Sequence, residues 1–270
     1  MSNNNVVPQD VAAAFRQRLS SGEAVLGCFL SMGSTLASEM MAWAGYEWAI
    51  IDLEHGAGGE RDVPMQLIAL QGTGCLGVVR VEGRERQRVH RVLDYGAHGI
   101  MFPRIDTAEQ AAEAVAAMRY GPEGMRGVAF SNRACQYGSN FKPYYENSRS
   151  LISLIQIESP QAVENVEEIA RVEGVDVLFV GPSDLSQSLG MLGDWENPTF
   201  LAAMQRVAEA GKKAGKVLGL LLPTPAHFAT YYNMGYRMMI SGADVVLLNS
   251  AARNLVESLR KSRAAAVSST

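Results

Sequence analysis

The sequence is poor in cysteine, in excess charge and in long apolar runs, and each absence excludes a class of protein. Only 3 cysteines occur among 270 residues, without a CxxC spacing, so we expect reduced thiols rather than a disulfide framework. The formal net charge of −4 lacks the basic excess that nucleic-acid binding requires. No apolar run approaches the roughly 20 residues that cross a bilayer, and the polar start has no signal-peptide core. The sequence therefore predicts a soluble cytoplasmic protein with no nucleic-acid or membrane partner.

The sequence does contain a regular alternation of short apolar runs and segments with helical spacing. Apolar runs bounded by Gly, Pro or Ser are typical of buried parallel strands. Eight such runs lie at residues 25–30, 48–53, 76–81, 99–102, 152–157, 177–180, 217–222 and 238–240. Helical spacing separates them, as in residues 161–171, and residues 254–263 supply a final helix. This order predicts an α/β fold, a single-domain (β/α)8 TIM barrel, whose weakest strands are the short, interrupted fourth and eighth.

The ends of the chain and one internal segment depart from this alternation. We assign residues 1–22 to an N-terminal arm, residues 23–264 to the barrel and residues 265–270 to a frayed tail. Residues 120–150 form a long insertion rich in Gly, Asn, Ser and Tyr. Long ordered loops are commonly lids or interface elements, and aromatic residues such as Phe130 and Tyr144 give this one material to pack.

Two carboxylates end successive predicted strands. Glu158 follows the fifth apolar run and Asp184 follows the sixth, after Gly181-Pro182-Ser183. The carboxyl ends of parallel strands carry the chemistry of α/β barrels, and oxygen ligands suit a divalent cation. Backbone N–H groups of the Gly181-Pro182-Ser183 turn would also favour an anion. The sequence thus predicts a metal and an anion at one rim of the barrel.

A basic residue and a histidine end two further strands. Arg80 lies between valines, where a guanidinium needs an anionic partner: it either clamps a substrate carboxylate or forms a structural ion pair. His55 follows Asp52 and Glu54, and a neighbouring carboxylate can fix its tautomer, which favours a catalytic over a structural histidine. Asp94 ends a predicted helix, where it either makes a local contact or reaches His55.

These residues resemble the pattern of the HpcH/HpaI aldolase family, which are class II, metal-dependent pyruvate aldolases. The matching motifs occur in the same order between about residues 27 and 259: Asp52-Leu53-Glu54-His55, Arg80, Leu93-Asp94-Tyr95-Gly96, Arg126-Gly127-Val128, Gln156-Ile157-Glu158 and Gly181-Pro182-Ser183-Asp184-Leu185. The family includes 4-hydroxy-2-oxoheptanedioate and 2-dehydro-3-deoxyglucarate aldolases, and residues 129–138 resemble the sugar-acid branch more closely.

The resemblance implies a role for each matching residue. Glu158 and Asp184 would bind Mg2+, Mn2+ or Co2+, and His55, oriented by Asp52 and assisted by Asp94, would serve acid–base chemistry. The residues implied to bind or enclose the substrate are Arg80, Gln156, Gly181, Ser183, Phe29, Phe179 and Leu221. Phe29 stands where several members have Trp, which puts the aldehyde preference in doubt. The family also implies a homo-oligomer, a hexamer built as a trimer of dimers, with the final helices exchanged.

The implied reaction is the reversible cleavage of a 4-hydroxy-2-oxo acid to pyruvate and an aldehyde through a metal-stabilised enolate. No lysine ends a strand within the motifs, which argues against a Schiff-base aldolase. The alternatives are a citrate-lyase β-type enzyme, an enolate enzyme similar to macrophomate synthase, and a catalytically silent assembly module.

Overall fold

Eight parallel strands close into a barrel in the order of the chain. The computed structural model describes residues 8–268, without the side chain of Gln9. The strands are β1 Val25–Leu30, β2 Trp48–Asp52, β3 Leu76–Arg80, β4 Gly99–Phe102, β5 Ile152–Ile157, β6 Val177–Val180, β7 Val217–Leu221 and β8 Met238–Ala243. Each pairs with its neighbours and β8 pairs with β1. The predicted TIM barrel is confirmed, and the strands expected to be weakest are both present.

Helices follow the strands and cover the outside of the barrel. They are α1 Pro8–Ser20, α2 Thr35–Trp43, α3 Val63–Leu70, α4 Arg86–Asp94, α5 Ala108–Met118, α6 Phe141–Glu146, α7 Pro160–Glu164, α8 Val166–Arg171, α9 Pro182–Ser188, α10 Pro198–Ala214, α11 Phe228–Met234 and α12 Asp244–Ser268. No helix among the described residues is long and apolar enough to cross a membrane.

Two large rings fill the interior of the barrel. Trp48 of β2 and Phe179 of β6 pack edge to face, with 6.2 Å between ring centroids. A Cβ atom at Gly27 would lie 2.4 Å from the indole of Trp48, and one at Gly219 would lie 2.6 Å from the ring of Phe179. The two glycines therefore make room for the two rings.

Helix α1 closes the amino-terminal end of the barrel. Ala12, Phe15 and Leu19 are buried there and belong to the same apolar cluster as the barrel interior. Arg16 adds hydrogen bonds to the carboxylate of Asp176, at 2.6 Å from Nη1 to Oδ1. The apolar face of α1 explains why residues 8–20 pack on the barrel instead of extending from it as an arm. Residues 1–7 of the expected arm lie outside the described part of the chain.

The long segment of residues 120–150 packs at the amino-terminal end of the barrel, because it connects the end of α5 to the start of β5. Buried Arg126 holds it there, donating from Nη2 to Asp94 Oδ1 at 2.8 Å and to Tyr144 Oη at 2.9 Å. The guanidinium also lies over the rings of Tyr120 and Tyr144. The segment is thus at the opposite end from the carboxyl ends of the strands.

The last helix follows β8 directly. Asp244 begins it and accepts hydrogen bonds from the backbone nitrogens of Ser31 (2.8 Å) and Met32 (3.2 Å). The helix has 25 residues and continues through Ser268, past residue 264, where we expected fraying. Residues 269–270 of that expected tail lie outside the described chain. Its exposed apolar side chains are Val245, Val246, Leu247, Leu248, Leu255, Val256, Leu259 and Val267.

Candidate active site at the carboxyl ends of the strands

A buried carboxylate stands at the end of β5. Glu158 accepts a hydrogen bond at Oε1 from the backbone nitrogen of Arg104 (2.8 Å) and at Oε2 from Nε2 of Gln156 (3.0 Å). Burial raises the pKa of Glu158 to about 7, and the charge of nearby Asp184 adds to the shift. No cation is hydrogen-bonded to this carboxylate within the described residues, so its charge is left without a direct counter-ion.

The donor to Glu158 depends on an unusual backbone conformation. Arg104 follows β4 and has φ of 53°, in the left-handed region that side chains other than glycine rarely adopt. Arginine is not a residue type that indicates this conformation, and the side chain of Arg104 is exposed. The sequence therefore did not identify Arg104, although its N–H orients the carboxylate.

Gly181 leaves the space that Glu158 occupies. A Cβ atom at position 181 would lie 2.6 Å from Glu158 Oε2 and 3.3 Å from Gln156 Nε2. The turn then leads into α9, whose first residues include Ser183 and Asp184, both exposed. The structure thus places Gly181, Gln156 and Glu158 in direct contact, with Asp184 beside them.

Arg80 forms ion pairs with two carboxylates. Its Nε and Nη2 each lie 2.8 Å from an oxygen of Asp52, and its Nη1 lies 3.0 Å from Glu54 Oε2. The first pair follows from register, because Asp52 of β2 is the Cα partner of Arg80 of β3. Although burial opposes it, the pairing with Arg80 lowers the pKa of Asp52. The guanidinium lies over the ring of Phe29, 4.8 Å from its centroid.

His55 is exposed at the same rim, and Glu54 is the carboxylate beside its imidazole. Nε2 of His55 lies 3.7 Å from Glu54 Oε2, whereas Asp52 accepts a hydrogen bond only from the backbone nitrogen of His55, at 3.3 Å. The sequence offered Asp52 and Glu54 as neighbouring carboxylates and the family resemblance implied Asp52, whereas Glu54 is the one whose carboxylate lies near the imidazole. Its position directly before the histidine was the available signal.

Asp94 is the site candidate that the structure separates from the others. It ends α4, which runs from the carboxyl ends of the strands back to their amino ends. There it pairs with Arg126, 2.8 Å away. Within one chain, Asp94 therefore lies at the opposite end of the barrel from His55.

The three predicted wall residues occupy different depths. Phe29 lies beneath Arg80 and Leu221 is half-buried at the end of β7, so both border the rim. Phe179 is 1% exposed and packs against Trp48 inside the barrel. The structure places the ring of Phe179 in the core rather than at the open surface.

The oxygen atoms at this rim fit a divalent cation with few protein ligands. Glu158 and Asp184 supply carboxylates, and Gln156 Oε1 is buried without a hydrogen-bond partner. No group of three or more His, Cys, Asp or Glu side chains in residues 8–268 has the spacing of a metal cage. A pair of carboxylates suits Mg2+ or Mn2+, which retain several water ligands, better than zinc.

The chain as a whole matches a family of known proteins. The HpcH/HpaI aldolase/citrate lyase family matches residues 26–251. A 5-keto-4-deoxy-D-glucarate aldolase from Klebsiella pneumoniae is 37% identical over 247 residues, which cover 92% of this chain and 96% of the relative.

Solved structures agree with the sequence match. A family protein from Burkholderia cenocepacia is 41% identical with a TM-score of 0.86, covering 92% of this chain and 99% of that one. An HpcH/HpaI aldolase from Desulfitobacterium hafniense is 29% identical with a TM-score of 0.84, covering 91% and 96%. The resemblance inferred from the motifs is confirmed, and the chain belongs to the HpcH/HpaI aldolase/citrate lyase family.

Proposed function

We propose that this aldolase uses a divalent cation to cleave a 4-hydroxy-2-oxo acid of the sugar-acid type reversibly to pyruvate and an aldehyde. The observation that carries the proposal is the pair Glu158 and Asp184 beside the ion-paired Arg80 at one barrel rim. The curated relative at 37% identity is a 5-keto-4-deoxy-D-glucarate aldolase, and we propose a substrate of that class here.

Glu158 and Asp184 would hold the cation, with Gln156 beside them. A bound divalent cation supplies Lewis acidity, which stabilises the negative charge of the pyruvate enolate. Gln156 and the N–H of Arg104 orient the carboxylate of Glu158. Gly181 keeps the space around that carboxylate open.

Arg80 would bind the carboxylate of the substrate. A guanidinium carries five N–H donors, and the contacts to Asp52 and Glu54 use three of them. One hydrogen on each terminal nitrogen is left for a bidentate contact to a 2-oxo acid. The ion pair with Asp52 therefore orients Arg80 without exhausting it, so the structural and the substrate-binding interpretations are compatible. We propose that backbone N–H groups of Gly181 and Ser183 assist.

His55 would move the proton of the 4-hydroxyl group. Cleavage removes this proton while the C3–C4 bond breaks, and the condensation returns it. The exposed imidazole is accessible to a bound substrate, and the carboxylate of Glu54 lies beside it. Asp52 contributes through the backbone of residue 55, so we propose Glu54 as the group that orients the imidazole.

A pyruvate-release assay tests the proposal. The purified chain is incubated with 5-keto-4-deoxy-D-glucarate, with 4-hydroxy-2-oxoheptanedioate and with a 3-hydroxyacyl-CoA thioester, each with Mg2+, Mn2+, Co2+ or a chelator. We expect metal-dependent pyruvate release, fastest with the sugar acid. Glu158→Gln should be inactive, whereas Glu209→Gln, an exposed carboxylate on α10, should behave as the wild type.

The alternative functions are separated by two further measurements on the same incubations: release of acetyl-CoA from the thioester, and exchange of the methyl protons of added pyruvate with D2O. Cleavage of the thioester alone would indicate a citrate-lyase β-type enzyme. Formation of pyruvate enolate without cleavage of any hydroxy acid would indicate an enzyme similar to macrophomate synthase. No turnover with any metal would leave a silent assembly module. Any of these outcomes contradicts the proposed substrate.

Two broader proposals accompany the reaction. We propose that the chain assembles as a hexamer, a trimer of dimers, since α12 exposes a row of apolar side chains. We also propose a cytoplasmic location, since Cys28, Cys75 and Cys135 are buried and unpaired.

A further inference from the structure

A cavity lies at the amino-terminal end of the barrel, opposite the candidate active site. It has a volume of about 430 Å3, which is comparable to that of small-molecule sites. Val11 of α1 and Leu67 and Leu70 of α3 form its apolar wall, and Arg133, His98 and Tyr137 supply its polar groups. We call this space the floor cavity.

Arg133 brings an uncompensated positive charge to the floor cavity. Its Nη1 donates to the carbonyl oxygen of Tyr95 (2.7 Å) and its Nη2 to Gln71 Oε1 (3.1 Å). Both acceptors are neutral. Burial lowers the pKa of Arg133, and the group in the described chain that opposes this shift is the phenol of Tyr137 rather than a carboxylate. A half-buried guanidinium without a counter-charge favours an anion.

His98 adds a neutral donor to the same space. Its Nδ1 lies 3.0 Å from the backbone nitrogen of Gly77 and 3.1 Å from the carbonyl oxygen of the same residue, near the start of β3. The tautomer that accepts from the Gly77 nitrogen carries its proton on Nε2, and a carboxylate in the floor cavity would select this tautomer. Burial lowers the pKa of His98 to about 4, so the ring stays neutral at physiological pH and the donor is retained.

The rim of the floor cavity has a strained backbone. Gln136 and Tyr137 are consecutive residues with φ of 52° and 53°, in the left-handed region. The hydrogen bond from Tyr137 N to Asn132 O, 2.9 Å, holds this turn. The ring of Tyr137 is 74% exposed, so packing of this ring in the core does not offset the backbone strain. Strain of this kind is concentrated at ligand sites and switches.

We propose that the floor cavity binds a small organic carboxylate with an apolar or aromatic body. The carboxylate contacts the guanidinium of Arg133 and the Nε2–H of His98, and the body packs against Val11, Leu67 and Leu70. A bare inorganic anion would leave the apolar wall without a contact. A neutral hydrocarbon would leave the guanidinium of Arg133 without a counter-charge. The site is separate from the catalytic rim and independent of the proposed reaction.

The test uses 4-bromobenzoate as the probe and the full-length protein. Titration calorimetry should detect binding, and soaked crystals should show anomalous bromine signal beside Leu67 and Leu70. Arg133→Met keeps an unbranched side chain, shorter by two atoms, without the charge, and we expect it to lower the affinity at least tenfold. 4-Bromobenzyl alcohol, the neutral analogue, and inorganic phosphate, the bare anion, should each bind at least tenfold more weakly.

A second variant guards against a folding defect in Arg133→Met. Val11→Trp should fill the cavity from α1 and abolish binding of the probe, with Arg133 intact. Bromine signal only at the catalytic rim, or equal affinity in the wild type and both variants, would overturn the proposal. Stronger binding of phosphate than of 4-bromobenzoate would also overturn it, by assigning the site to a bare anion.

Discussion

At the scale of residues, Asp52, Arg80, Glu54 and His55 form one chain of charged contacts. Asp52 fixes two nitrogens of Arg80, Glu54 contacts the third, and the same Glu54 oxygen faces His55. A change at Arg80 therefore affects both the proposed carboxylate contact and the group beside the histidine. Variants at positions 80 and 55 separate the carboxylate contact of Arg80 from the acid–base role of His55.

Arg80→Lys should be nearly as damaging as Arg80→Ala. A lysine keeps the charge but cannot contact both oxygens of Asp52, contact Glu54 and still offer two donors to a substrate carboxylate. We expect the affinity for pyruvate to fall at least tenfold in both variants. The measurement is the dissociation constant of pyruvate in the presence of metal. Comparable affinity in Arg80→Lys and the wild type would show that Arg80 is purely structural.

His55→Ala should reduce aldol cleavage by about 10²–10⁴-fold, the range for loss of a general base. Oxaloacetate decarboxylation needs the same enolate but no hydroxyl deprotonation, so it should lose much less. The ratio of the two rates in the variant is the measurement, and metal binding serves as the control. Equal loss of both activities would assign the base to another group.

Metal binding should depend on pH through Glu158. Burial raises its pKa to about 7 in the metal-free protein, so a cation must displace a proton below that pH. The affinity for Mn2+ should then fall about tenfold per pH unit below 7 and level off above it. Calorimetry in buffers of different ionisation enthalpy should count about one proton released at pH 6 and few at pH 8.

The raised pKa of Glu158 also makes the stability of the folded protein depend on pH. A raised pKa means that the folded, metal-free protein loses stability as the pH rises from about 4.5 towards 7, because the buried carboxyl must ionise. Metal should therefore raise the melting temperature more at pH 8 than at pH 5.5.

Glu158→Ala and Asp184→Ala should each bind the metal much more weakly than the wild type, and chelation should abolish activity. Normal turnover of either variant at limiting metal would remove that ligand.

At the scale of elements, the site depends on junctions where strands end. β6 passes into α9 through Gly181, and the residues after β4 turn through Arg104. Both junctions position Glu158 of a third strand. Small backbone changes there should affect the carboxylate without disturbing the apolar core.

Gly181→Ala tests this directly. The added Cβ would lie 2.6 Å from Glu158 Oε2, so the carboxylate must move. We expect the affinity for Mn2+ to fall at least tenfold, with circular dichroism unchanged. Gly59→Ala is the matched control, because a Cβ there would lie 4.0 Å from its nearest neighbour, Asp62 Oδ2, and φ is −120°. Unaltered metal affinity in Gly181→Ala would mean that Glu158 does not depend on this glycine.

The strands were predictable and several contacts were not, for physical reasons. Strands buried on both faces read as apolar runs, so β1, β4, β5 and β6 have the bounds that the sequence predicts. Helix α9 is short and mostly polar, so it has no apolar periodicity from which a helix could be predicted. The contact of Glu54 with the imidazole depends on how the chain turns after β2. Asp94 lies at the amino-terminal end of the barrel because α4 runs in that direction. The spacing of residues along the sequence does not predict at which end it lies.

At the scale of the whole molecule, α12 exposes a row of leucine side chains. Leu248, Leu255 and Leu259 lie at intervals of seven and four residues and are exposed to 60–63%, so they share one side of the helix. Such a stripe is typical of a surface that another protomer covers. The barrel itself covers little of it beyond Asp244, which is buried.

Light scattering at micromolar concentration should give a mass several times 29.2 kDa, the mass of one chain. Leu255→Glu combined with Leu259→Glu should lower that mass, because charges would replace the apolar contacts. Arg253→Gln, on the same helix, serves as the control and should keep the assembly. A monomeric wild type at this concentration would contradict the proposed hexamer.

In the proposed assembly, the anchoring of α12 by Asp244 would link the association of protomers to catalytic rate. Its carboxylate holds the backbone of Ser31 and Met32, which follow β1 and the ring of Phe29 beneath Arg80. Protomers that grip α12 would thereby restrain the wall of the substrate site from the outside. Specific activity should then decline on dilution, with its midpoint at the dissociation constant of the assembly, so that protein concentration acts as an activator of this enzyme.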